Sequence, residues 1–223
     1  MIKKLIFDLD NTLIMWRKEY NIAVQKAFEM LNLKYSQEMV DIINNLTDSF
    51  ENDFDNPHRY YNKKVFLEYI NKKTNYNLNI NFLNSWLKCN IIYSTPDKLD
   101  KTVYDTLEYL SKKYELVVLT NWFSDAQIGR MEKAGIKKYF SHIYTAEKYA
   151  KPKKEAFLQA VEKNNLNECV MIGDNLIIDI LGARDTGITN LIWINNNNKK
   201  DDYKDILKNI KVITNLNELK NIF

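Results

Sequence analysis

Leu5-Ile6-Phe7-Asp8-Leu9-Asp10-Asn11-Thr12 sets an apolar triplet directly against two carboxylates. A short apolar run of this kind reads as an interior strand of a parallel sheet, buried on both faces. In open α/β sheets ligands collect outside the carboxyl ends of the strands, so Asp8 and Asp10 fall at the active edge. Residues two apart on a strand point the same way. The two charges would therefore repel unless a cation or a basic residue neutralises them. Taken alone, the pair reads equally well as two turn acids after a strand, with Thr12 capping a helix.

Working outward, the chain of 223 residues is 45% hydrophobic, enough for one large domain or for a core with a smaller insertion. Lys+Arg 32 against Asp+Glu 29 gives a formal charge of +3, with the signs interspersed apart from short tracts such as Lys199-Lys200-Asp201-Asp202. No broad basic footprint for nucleic acid results. Cys89 and Cys169 lie far apart and read as buried, inert thiols of a reducing compartment. With only His58 and His142 beside them, a Cys/His zinc site is not expected. Met1-Ile2-Lys3-Lys4-Leu5 briefly imitates a signal peptide, but Asp8 interrupts the apolar run. No stretch approaches the ~18 apolar residues of a membrane span. The expectation is a cytoplasmic protein without a membrane partner.

After Leu13 the pattern turns helical for most of the next eighty residues. Tyr20, Ala23, Val24, Ala27, Phe28 and Leu31 recur at helical spacing, and further helices are predicted over Ser36 to Asn52, Lys63 to Lys72 and Ile80 to Tyr93. Joints fall at Asn52 to Tyr60, which contains Pro57, and at Asn71 to Asn79. Beyond Pro96 short apolar runs alternate with helices, the mark of βα units and a parallel sheet. The runs are Leu116 to Leu119, Ile143 to Thr145, Cys169 to Ile172, Leu191 to Ile194 and Val212 to Thr214. Ser124-Asp125-Ala126-Gln127 has the spacing of a capping box for a helix that Gly135 closes. Two more helices follow, from Pro152 through Glu162 and from Asn175 to about Thr186, with Gly187 as the stop. Asn195 to Asn198 is read as a polar loop. The fold class is thus α/β: a Rossmann-like open parallel sheet with helices on both faces and an inserted all-helical block.

Three more polar groups stand at predicted strand ends. Leu119-Thr120-Asn121 offers a hydroxyl and a backbone amide able to hold a phosphoryl oxygen. Ala150-Lys151-Pro152-Lys153-Lys154 puts lysines between a strand and a helix, where one could offset repulsion among carboxylates. Met171-Ile172-Gly173-Asp174-Asn175 ends a strand in an acid, with Asp179 five residues further on. Gly173 allows a sharp turn and a close backbone approach.

Asp8-x-Asp10-x-Thr12, Thr120, the lysine-proline pair and Gly173-Asp174 with Asp179 resemble, in this order, the four motifs of the haloacid dehalogenase superfamily. Most members of that superfamily are magnesium-dependent phosphatases with an aspartyl-phosphate intermediate. The resemblance implies a helical cap between the first and second motifs: a core of 1–14 and 96–223 and a cap of 15–95. It selects Lys151, the lysine directly before the proline. It further implies a Mg2+ site made by Asp8, the backbone carbonyl of Asp10 and Asp174, with Asp179 orienting the lysine or a metal-bound water. Asp8 would be the nucleophile and Asp10 the proton carrier. Thr120, the Asn121 amide and Lys151 would hold the phosphoryl oxygens.

Asp10 separates readings inside the superfamily. Its dehalogenases lack that second acid, whereas sugar-phosphate mutases keep it. Leu119 to Phe123, with Gln127, Arg130, Glu132, Gly135, Tyr139-Phe140 and Ala150 to Lys154, is similar to the nucleoside 5′-monophosphatase branch, although Trp122 replaces the glycine usual there. The implied substrate is a small phosphate ester, with a nucleoside 5′-monophosphate first and phosphoglycolate-type or mutase substrates as alternatives. A low-turnover phosphoester- or protein-binding module is the reading from another class. Among Trp16, Arg17 and Tyr20, and His58, Arg59, Tyr60 and Tyr61, the aromatics could stack on a base and an arginine could meet a second anionic group. Such residues are more often cap packing or solvated surface, and none is assigned to the site. Oligomeric state is not legible.

Overall fold

A computed structural model describes residues 1–15, 21–53, 62–195 and 207–223. The aromatic and basic groups at Trp16, Arg17, Tyr20 and 58–61, the charged tract 199–202 and Asn196 to Asn198 lie outside the described residues.

Six strands form one sheet: β1 (Lys4–Phe7), β2 (Glu115–Leu119), β3 (His142–Tyr144), β4 (Cys169–Gly173), β5 (Asn190–Ile194) and β6 (Ile210–Ile213). Their spatial order is β3-β2-β1-β4-β5-β6, and every neighbouring pair is parallel. This is the Rossmann-like α/β fold the apolar runs predict. Strand order reverses between β1 and β4, where open sheets form their ligand crevice. β1 lies between β2 and β4, with Phe7 level with Val118 on one side and Ile172 on the other.

Period-2 alternation divides the strand side chains between two apolar layers. Leu5, Phe7, Leu116, Val118, Val170 and Ile172 pack on one face with Leu107, Leu110 and Met131. Ile6, Val117, Leu119 and Met171 pack on the other with Ala156 and Phe157. The helices supplying these contacts are α5 (Lys101–Ser111), α6 (Ser124–Lys133) and α7 (Lys154–Val161). Lys4 is the exception on β1. Its side chain is fully buried, and its ammonium donates to Ala160 O at 3.1 Å and to Glu162 Oε2 at 2.6 Å. Both cysteines are buried thiols.

Between β1 and α5 the described chain forms four helices: α1 (Ile22–Met30), α2 (Gln37–Glu51), α3 (Lys63–Thr74) and α4 (Ile80–Tyr93). These helices have an apolar cluster of their own, containing Phe28, Ile43, Phe50, Phe66, Leu83 and Trp86. Phe123 and Ala126 join that cluster from α6, so it rests against the sheet domain there.

Three details depart from the sequence reading. Residues 10–14 do not open a helix: Asn11 adopts φ +57° and its amide donates to Ile14 O, closing a tight turn. Ser124 does not cap α6; Phe123 stands at the cap position without a side-chain bond, and Gln127, the far member of the expected capping box, bonds Asp10 and Thr120 instead. The segment after Asn175 is not one α-helix. A wide π-helical turn, Leu176–Leu181, precedes the short α8 (Gly182–Thr186), which Gly187 ends at φ +108°. Among the described residues no helix is long and apolar enough to cross a membrane.

Candidate active site

Because β1, β2 and β4 are neighbours in register, the residues just past their ends meet at one edge of the sheet. Asp8 follows β1, with its amide bonded to Ile172 O of β4 at 2.9 Å. Thr120 follows β2, and Asp174 follows β4. The turn before α7 brings in Lys151, whose ammonium is buried among acids. It donates to Asp8 Oδ1 at 2.5 Å and to Asp179 Oδ1. Lys153 and Lys154, its rivals in the sequence, begin α7 and stay on the surface side.

Asp8, Asp174 and Asp179 each offer a carboxylate oxygen within 4.8 Å of the others. Three carboxylates against one ammonium leave two negative charges uncompensated. Burial, the dominant cause, holds Asp8 well above the usual carboxylate range; Asp179 and Asp174 push the same way and Lys151 opposes them. Burial and then Asp179 push Asp174 up to about 7. Burial works against the Lys151 ammonium, yet Asp179 and Asp8 more than offset it and raise its pKa. An all-oxygen, acid-rich donor set of this kind fits a hard divalent cation such as Mg2+, whose charge would restore the ionised forms of both acids.

Asp179 is held at both oxygens, one by Lys151 and the other by the Asn175 amide at 3.0 Å. Asn175 in turn accepts from the amides of Ile177 and Ile178. The glycine at 173 is required by contact: a Cβ there would fall inside the Asp179 carboxylate. Trp193 of β5 donates its indole N–H to Asp174 O at 2.7 Å.

Asp10 is turned away from the acidic cluster. Its Oδ2 accepts from Gln127 Nε2 at 2.9 Å, and its Oδ1 forms a 2.7 Å ion pair with Arg130 Nη2. Gln127 Nε2 also lies 2.8 Å from Thr120 Oγ1 and 3.0 Å from Asn121 O. Arg130 bonds Gln127 Oε1 at 2.8 Å and reaches Thr95 Oγ1 at 3.3 Å. The sequence offered Gln127 as part of a capping box, and both Gln127 and Arg130 as part of the nucleotidase likeness, but gave neither a contact with Asp10. The available signal was two polar residues three apart on the same face of α6 as Phe123, Ala126 and Met131, the face that is buried.

Asn121 has a side-chain role beside the backbone-amide role expected of it. Its Nδ2 donates to Lys151 O at 3.1 Å and its Oδ1 accepts from Lys151 N at 2.9 Å, locking the two turns together. All seven expected residues therefore gather at one place: Asp8, Asp10, Thr120, Asn121, Lys151, Asp174 and, behind the lysine, Asp179. Over them lies a cavity of about 430 Å³ between the sheet edge and helices α1, α2 and α4. Trp122 forms part of its wall, its ring packed edge-on against Phe66 and Trp86 of the helical block.

An open parallel sheet that gathers carboxylates, a buried lysine and a threonine at adjacent strand ends is the arrangement of a hydrolase with a Rossmann-like core. The chain belongs to the haloacid dehalogenase-like hydrolases, whose family model matches residues 2–187. Phosphatases are among its relatives. It is 22% identical over 198 residues to the HAD-hydrolase YfnB of Bacillus subtilis, covering 86% of this chain and 84% of that one. The glyceraldehyde 3-phosphate phosphatase of Pyrococcus abyssi is 27% identical over 212 residues, with 86% and 81% covered. The pyrimidine 5′-nucleotidase PynA of Streptococcus pneumoniae is 31% identical over 98 residues, 41% of each chain. The crystal structure of YfnB bound to magnesium superposes with a TM-score of 0.73 at 20% identity, covering 99% of this chain and 98% of that one. The shared fold thus extends across the helical block as well as the sheet.

Proposed function

We propose that the chain is a magnesium-dependent phosphomonoesterase that forms an aspartyl-phosphate on Asp8. The observation that carries this reading is the Asp8 carboxylate, at the end of the central strand against Lys151 and beside two further acids, lining a cavity. The contacts support a division of labour. Asp8 supplies the attacking oxygen. Lys151 holds Asp8 and lies ready to share its charge with an incoming phosphoryl oxygen. Thr120 and the Asn121 turn flank that position. Asp10, fixed by Gln127 and Arg130, would give a proton to the leaving oxygen and later take one from the water that frees phosphate.

Asp8, the backbone carbonyl of Asp10 and Asp174 would hold Mg2+, which supplies charge neutralisation for the ester when bound. Asp179 keeps the lysine in place. Residues 1–14 and 96–223 act as the catalytic core, and 15–95 as a cap that excludes bulk water.

A small phosphorylated metabolite fits a cavity of about 430 Å³, and a nucleoside 5′-monophosphate is the first candidate, supported by the partial likeness to PynA. The test is phosphate release from p-nitrophenyl phosphate and a panel of nucleotides and sugar phosphates, with and without Mg2+. Release that requires Mg2+ and vanishes in Asp8→Asn is expected. Wild-type turnover by Asp8→Asn would refute the mechanism.

A further inference from the structure

One side-chain amide ties the proton carrier to the turn after β2. Gln127 Nε2 lies 2.9 Å from Asp10 Oδ2, 2.8 Å from Thr120 Oγ1 and 3.0 Å from Asn121 O. Asn121 O is the carbonyl immediately before Trp122, so the group that fixes Asp10 also fixes the backbone that carries the indole. Trp122 lines the cavity together with Asp10, Thr120 and Asn121.

The backbone at Trp122 is held at φ +93°. A bulky side chain in that region is an outlier costing about 1–3 kcal/mol, whereas glycine adopts it readily. The ring is also wedged in place. Its centroid lies 4.9 Å from that of Phe123, 5.6 Å from Phe66 and 6.0 Å from Trp86. Ala146 and Ala150 pack with it from the loop after β3, and all of these neighbours are buried. A wall backed by close-packed side chains does not yield to a bulky ligand without losing those contacts.

Building on the phosphomonoesterase reading, we infer that Trp122 sets specificity at the ester carbon: the enzyme takes primary phosphate esters and turns away secondary ones. The leaving oxygen has to reach Asp10 for its proton, and Asp10 shares Gln127 with the Trp122 turn. The carbon on that oxygen therefore comes beside the indole, where a CH2 is accommodated and a branched carbon is crowded. Such discrimination works through a clash built against the wrong partner. One carbon too many against a fixed apolar wall is worth about ten- to two-hundredfold.

Two pairs of isomeric esters, equal in mass and charge within each pair, test this with Mg2+. Glycerol 1-phosphate is compared with glycerol 2-phosphate, and uridine 5′-monophosphate with uridine 3′-monophosphate. In both pairs the wild type favours the primary ester by about tenfold or more in kcat/KM. Parity or reversal in either pair overturns the inference. Trp122→Gly and Trp122→Ala remove the ring, with and without relief of the backbone, and both narrow the preference by about fivefold or more. Phe66→Leu loosens the same joint but leaves the indole in the wall, and it keeps the wild-type preference. An unchanged preference in the Trp122 variants, or an equal narrowing in Phe66→Leu, overturns the role of the indole. Cleavage of p-nitrophenyl phosphate without cleavage of either primary ester overturns the inference as well. If the wild type cleaves none of these esters, the phosphatase reading itself fails, so the two failures are told apart.

Discussion

Asp10 is held by two side chains that the chain places one helical turn apart, and this makes its position, rather than its presence, the sensitive quantity. Arg130→Met or Gln127→Leu leaves Asp10 in place but frees its carboxylate to rotate. Displacement of a catalytic group by about 1 Å can cost about a hundredfold in rate. Steady-state kinetics on p-nitrophenyl phosphate should therefore show kcat falling by about ten- to a hundredfold, with KM changed much less. A loss confined to KM would mean that these residues bind substrate instead.

Asp174 gives a pH-dependent prediction. Burial and Asp179 raise it from the ordinary carboxylate range to about 7. An acid raised in the folded state favours folding while it is protonated; that contribution is full below the unfolded value and is lost as pH rises toward 7. In chelator, Asp174→Asn should gain Tm over wild type between pH 4 and pH 8, because the amide has no charge to desolvate. Added Mg2+ should raise the wild-type Tm and leave the variant nearly unmoved. A pH-independent gap between the two melting curves would contradict the assigned burial cost.

At the scale of elements, the strand ends were legible because apolar runs of four or five residues stop at polar ones. Asp8, Thr120 and Asp174 could be placed at one edge before any side-chain contact was known. The partners of Asp10 were not legible, since Gln127 and Arg130 meet it only after α6 packs beside β1. Asn121 was read for its backbone amide, and its side-chain clasp on Lys151 depends on a turn thirty residues away. The π-helical turn after Asn175 had no sequence signal, as the helical pattern there continues unbroken.

Gly173 and Trp122 mark where backbone and site constrain each other. Gly173→Ala would press its methyl into Asp179, costing about 1–3 kcal/mol and loosening the hold on Lys151. Thermal melts and turnover should fall together. Trp122 sits at φ +93°, a region that favours glycine. Relief of that strain by Trp122→Gly is worth about 1–3 kcal/mol, while loss of a packed tryptophan costs about 3–5. Net destabilisation by about 2 kcal/mol in urea unfolding is expected, because the indole ties the helical block to the strand-end turns. A more stable variant would show that its contacts carry no such weight.

For the whole molecule, the sheet order explains why a site can exist here at all. The chain leaves β1 outward through β2 and β3, then returns to the far side of β1 with β4, so three acid-bearing or hydroxyl-bearing ends converge beside the reversal. The helical residues between β1 and β2 are positioned by that same topology to cover the crevice. Their apolar periodicity was readable, but the polar faces of α2 and α4 that line the cavity were not, since nothing local says which side of a helix will look inward.

The central claim is that Asp8 carries the phosphoryl group between two half-reactions. Acid quenching of a single turnover, reduction of the acyl phosphate with borohydride and peptide mass analysis test it directly. Conversion of Asp8 to homoserine, dependent on both substrate and Mg2+, is expected. Phosphate release with Asp8 unmodified, or modification of another residue, would contradict it.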